Sequence, residues 1–222
     1  MNKINSESVY KTPEAELLVD EKLPDSFLSG RLSYKKLLLL FWLSLLYLVA
    51  TLPLVAISFL SGVVSDNDTY GMATDIFSVI DNLLYIYLLY MFKLLLNYRL
   101  KCHSVDIYIY IVMFLSLVMS IISLIVPEEA ETLSKSTISF FVLMMPLGIV
   151  TVIYGIKLLK IDSDFSYLKL YSWSTVIAGV LLASVVLFLL AVPVGMVSSY
   201  AMAMMFYTAA KELKRHQHHA AA

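Results

Sequence analysis

Cysteine is nearly absent. Cys102 is the only one in 222 residues, which excludes an intramolecular disulfide and any zinc site built from cysteine alone. Charge is scarce as well. Only 15% of residues are charged, against about 25% in a soluble domain. The net charge of −1 leaves no basic excess for nucleic acid. Signature loops are missing too: there is no Walker A loop, no GxGxxG, no HExxH and no GxSxG, so the usual nucleotide, zinc-peptidase and serine-hydrolase chemistries have no motif here. No arginine recurs at every third position and no TVGYG-like filter occurs, which removes the voltage sensor and the potassium filter.

What is present is apolar. Hydrophobic residues make up 60% of the chain and the mean hydropathy is +0.82. A soluble protein of this size could not hide that much apolar surface, so the bilayer is the expected solvent. The runs are about 20 residues long, as a spanning helix needs, not the roughly 10-residue alternating segments of a barrel. The expected fold is therefore all-α, a polytopic transmembrane helical bundle of six spans arranged as three hairpins. The spans are Leu37–Val63, Asp75–Leu96, Ile107–Val126, Ile138–Leu159, Tyr171–Val192 and Val194–Ala210. The first 36 residues are polar. The first apolar run starts too late and is too long for a cleaved secretory segment, so it is expected to stay as an anchor.

The last two spans are read from one stretch of 40 residues, Tyr171–Ala210, interrupted only by VPVG at Val192–Gly195. One bent helix would fit it as well. Charge decides for two. With six spans and both termini cytoplasmic, all 16 Lys and Arg residues except Lys135 fall on the inner side, as the positive-inside rule requires. Five spans would move Lys211, Lys214 and Arg215 outside.

Domains follow from the spans. Residues 1–36 form a flexible acidic cytoplasmic tail with a basic juxtamembrane end. Residues 37–210 form the membrane domain, and residues 211–222 a short His-containing cytoplasmic tail. A repeated Tyr-x-x-Lys-Leu-Leu, at Tyr90–Leu95 and again at Tyr154–Leu159, is consistent with duplicated hairpins. The plainer account is that each inner edge takes a snorkelling lysine and an interfacial tyrosine.

Span 2 carries the most polar groups. At 100° per residue Asp75, Asn82, Lys93 and Asn97 share a stripe, and Asp81 lies about 100° away near Tyr85. One reading is a polar path through Asp81, Asn82 and Lys93. The other is that groups near both ends of the helix reach water by snorkelling and tilt. At the following turn, CHSVD sets His103 three residues before Asp106. That spacing suits an inner-face acid–base pair. It equally suits a helix start with Ser104 as cap and Asp106 at the positive end. His216, His218 and His219 fit a solvated tail better than a metal site. No metal and no cofactor are expected.

The tail VYKTPEAELL, Val9–Leu18, resembles the Asn-Pro-Tyr-x-x-Pro-x-Ala-x-Leu tails of small, uncharacterised bacterial multi-span inner-membrane proteins, with the leading Asn-Pro missing here. KLLLNYRLKCHSVD, Lys93–Asp106, is similar to the segment after an even-numbered span in some of them. The resemblance implies a bacterial inner-membrane protein and carries over no catalytic residue. Three functions are compatible with the residues. The first is contact with lipid, a membrane-protein partner or further copies of the chain. The second is a small ion or solute transporter or channel using Asp81, Asn82 and Lys93. The third is a membrane enzyme acting through His103 and Asp106.

Overall fold

The computed structural model describes residues 23–28, 32–61, 68–125, 135–184 and 187–221. Among them the chain is all-helical. One short turn of helix, α1 (Asp25–Leu28), precedes six long helices. These are α2 (Tyr34–Ser61), α3 (Asp68–Leu100), α4 (Asp106–Ile125), α5 (Lys135–Leu159), α6 (Leu168–Ala183) and α7 (Phe188–Ala221). Three stretches are long and apolar enough to cross a membrane: Tyr34–Leu54, Ile76–Leu100 and Leu189–Gln217.

Side-chain pairings give the helix directions. Tyr34 meets Lys214, and Phe41 meets Tyr207, so α2 and α7 run antiparallel. Asn82 reaches Ser116 while Asn97 reaches Asp106, so α3 and α4 do too. In contrast, Phe92 faces Phe206 and Arg99 faces Glu212; α3 and α7 are parallel. Gly148 abuts Ala183 and Gly155 abuts Val176, which makes α5 and α6 an antiparallel hairpin. The starts of α2, α4 and α6 therefore gather with the ends of α3, α5 and α7. The sequence places most lysines and arginines there, and we call it the basic end.

Every long helix carries exposed large apolar side chains. Large apolar side chains point away from the bundle: Trp42 is 62% exposed, Phe114 65% and Trp173 57%. Behind them, α2 stacks Leu39, Leu46 and Val49 on the same outward face, at the three- and four-residue spacing of one helical stripe. The interior is built from Leu37, Leu40, Leu88, Phe92, Leu96, Ile109, Met205 and Phe206.

Two boundaries differ from the sequence reading. The break between the last two helices falls at Ser184, not at VPVG. The Ser184 hydroxyl donates to the Leu181 carbonyl at 2.7 Å and accepts from the Leu187 N–H at 3.2 Å. This local chemistry closes one helix and opens the next. Pro193 then sits inside α7. At the root of the expected tail, Leu23, Phe27 and Leu32 are buried in the core, while residues 1–22 and 29–31 lie outside the described residues. At the other terminus α7 runs on to Ala221, through the expected His-containing tail, with Leu213 buried. Residues 62–67 and 126–134 also lie outside the described residues.

Candidate functional site

α3 is the polar spine of the bundle. Along the seam with α4, Asn82 donates to the Ser116 carbonyl at 2.9 Å and to the Ser120 hydroxyl. About 16 Å further along the axis, Lys93 Nζ donates to the Tyr110 hydroxyl at 2.7 Å and lies 3.8 Å from Asp106 Oδ2. Lys93 also stands over the Tyr110 ring, 4.4 Å from its centroid, a cation–π contact. Asn97 Nδ2 donates to the same Asp106 oxygen at 2.9 Å.

The residues grouped by sequence divide here. Asn82 and Lys93 share the α3–α4 seam, and each is bound to α4. Asp81 takes no part in the described hydrogen bonds of that seam, and its Oδ1 is buried without a partner among the described residues. No continuous line of side chains joins all three among the described contacts. The side chain of Asp75 lies outside the described residues.

His103 and Asp106 do come together: Nδ1 is 3.5 Å from Oδ2, at i,i+3. The imidazole is 72% exposed at the turn, while the carboxylate is already shared with Asn97 and Lys93. What this arrangement does chemically is hold α3 and α4 in register. The cap assignment is corrected. The Val105 carbonyl accepts the first helical bond, from Ile109 N–H at 3.1 Å, so Val105 occupies the cap position. The Ser104 hydroxyl lies 3.3 Å from Cys102 Sγ. Lys101 ends α3 in the left-handed conformation, φ 51°, which reverses the chain.

Two features were not found from sequence. One is the ion pair of Arg99 Nε with Glu212 at 2.9 Å, with the guanidinium 5.8 Å from the Phe165 ring centroid. It ties the end of α3 to α7. The other is a layer of tyrosines from four helices. The Tyr47 and Tyr85 rings stack at 5.9 Å, and the Tyr154 and Tyr171 hydroxyls lie 3.3 Å apart. Phe92 packs on Tyr171 at 4.7 Å. Depth was the available signal. Tyr85 precedes Arg99 by 14 residues, about 21 Å of helix, which is too deep for an interfacial tyrosine.

The fold and its seams define a helical bundle with apolar helices long enough to cross a membrane. No family model matches the chain, and no curated protein or solved structure matches it.

Proposed function

We propose that the chain is an integral protein of a bacterial inner membrane, that α2–α7 are its six spans with both termini cytoplasmic, and that it works by contact with protein or lipid partners. The observation that carries the reading is the pairing of an apolar outer surface on all six long helices with basic side chains gathered at one end. Lys35, Lys36, Lys101, Lys160, Lys169, Lys211, Lys214 and Arg215 are all exposed, and the helix directions bring them to the basic end. Positive residues stay cytoplasmic and attract anionic head groups. Besides the three longest stretches, α4 has 20 residues and α5 has 25, each reaching about 30 Å or more. α6, with 16 residues, is short for a span, and local thinning of the bilayer accommodates that. The likeness of Val9–Leu18 to bacterial inner-membrane tails supports the compartment.

Contact is favoured over catalysis because the polar groups of the α3–α4 seam are spent on one another. Phe27, 0% exposed, and the bond from the Ser26 hydroxyl to the Tyr98 carbonyl at 3.1 Å fix the root of the acidic tail at the basic end. Purification in mild detergent, with the full chain compared with one starting at Leu23, tests this. The full chain is expected to bring down a discrete partner protein or several-fold enriched anionic lipid, and the shortened chain to lose the protein. A full-length sample carrying neither contradicts the reading.

A further inference from the structure

The packed core of the bundle occupies only the half nearer the basic end. Going away from that end, Leu40, Leu88, Val112, Tyr154, Tyr171 and Met202 are the last large apolar side chains buried on α2 to α7. Beyond them every buried residue among those described is Ala, Gly, Ser or Thr. Side chains this small fill the space between helices only where backbones touch, as α5 and α6 do at Gly148 and Gly179.

Gly195 marks such a space on α7. One turn to either side, Ala191 and Ser199 are buried, while Pro193, Val197 and Tyr200 on the opposite face are exposed. At 3.6 residues per turn Gly195 therefore looks into the bundle, yet a Cβ built on it would meet nothing within 4 Å. Asp81 looks inward from α3, on the same stripe as the buried Leu88, Phe92 and Leu95. The two helices are parallel and meet at Phe92 and Phe206. Asp81 precedes Phe92 by 11 residues, and Gly195 precedes Phe206 by 11. Both stand about 16 Å beyond that ring contact, at one level and on inward faces.

The Asp81 side chain is half-buried, and its buried Oδ1 has no hydrogen-bond partner among the described residues. A carboxylate inside an apolar bundle is costly unless a counter-charge meets it. The chain brings none to this level. The only Lys, Arg or His in the far halves of the helices is Lys135, about 28 Å beyond Tyr154 along α5, whereas Asp81 stands about 10 Å beyond Leu88. One turn nearer the basic end, Tyr85 stacks on Tyr47, and tyrosine rings attract cations. A divalent metal takes several oxygen ligands, which one carboxylate does not supply. An ammonium group on a small apolar body needs only the charge and the rings. We propose that the far half of the bundle holds a binding site for a small organic ammonium ion, with Asp81 as its counter-charge and the space before Gly195 as its seat. The inference rests on the helix bundle alone, not on the membrane orientation or the contact role proposed above.

The test is calorimetric titration of the full chain, in a non-ionic detergent, with tetramethylammonium chloride against a potassium chloride blank. Wild type is expected to bind saturably, in the millimolar range or tighter. Asp81→Asn should weaken binding about tenfold or more. Gly195→Leu fills the space, so it should melt no lower than wild type and weaken binding to a similar degree. Tyr200→Phe, on an exposed ring, should bind as wild type does. No saturable binding, unchanged binding in Asp81→Asn or Gly195→Leu, or a lowered melting temperature in Gly195→Leu overturns the proposal. Sodium chloride competing as strongly as the ammonium salt overturns the assignment to an organic cation.

Discussion

Asp106 is shared by three side chains. One of its oxygens faces Asn97, Lys93 and His103. Removing it leaves the buried Lys93, 8% exposed, with the Tyr110 hydroxyl alone. Asp106→Ala is therefore expected to cost about 2 kcal/mol, the scale of a lost charged hydrogen bond. In Lys93→Met the cation goes as well, so the double variant should cost less than the sum of the single ones, as coupled neighbours do. Unfolding equilibria in detergent measure both. Strict additivity would mean that the pair is not coupled. The sequence shows part of this network, because His103 and Asp106 are three residues apart and Lys93 and Asn97 share a helix stripe. It does not show Arg99 with Glu212, which are 113 residues apart. Nor does it show the tyrosine layer, because tyrosine serves membrane edges and cores alike.

At the scale of elements, the tightest contact is the α5–α6 hairpin. A Cβ on Gly148 would lie 2.7 Å from the Gly179 carbonyl oxygen and 2.8 Å from Ala183 Cα. Both are backbone atoms, so no flexible side chain can yield. Gly195 in α7 faces nothing within 4 Å. Gly148→Ala is expected to destabilise by about 1–3 kcal/mol through overpacking, and Gly195→Ala to be neutral or to stabilise by up to about 1 kcal/mol through helix propensity. Thermal unfolding of the two variants separates them. Equal effects would contradict the packing. Small residues mark the hairpin in the sequence, since they allow helices to approach closely, but not which glycine touches backbone. The end of α6 was misplaced for a related reason. VPVG is the stronger breaker by composition, yet Ser184 turns the chain with its side chain, and Pro193 fits within the early turns of α7.

The described long helices alternate in direction, with most of their basic residues at one end. The all-helical class was legible because long apolar runs and charged junctions dominate the chain. The anchoring of Leu23, Phe27 and Leu32 was not, because three apolar residues in an acidic segment carry no periodic signal. The central claim is that every basic turn faces the cytoplasm. Cys102, the only native cysteine, sits in the α3–α4 turn. Labelling with a membrane-impermeant maleimide tests the claim most directly, applied to the native chain and to Lys160→Cys and Lys214→Cys in a Cys102→Ser background. The account predicts that all three label in inverted vesicles and none in right-side-out cells. Labelling of any one of them from outside intact cells would contradict it.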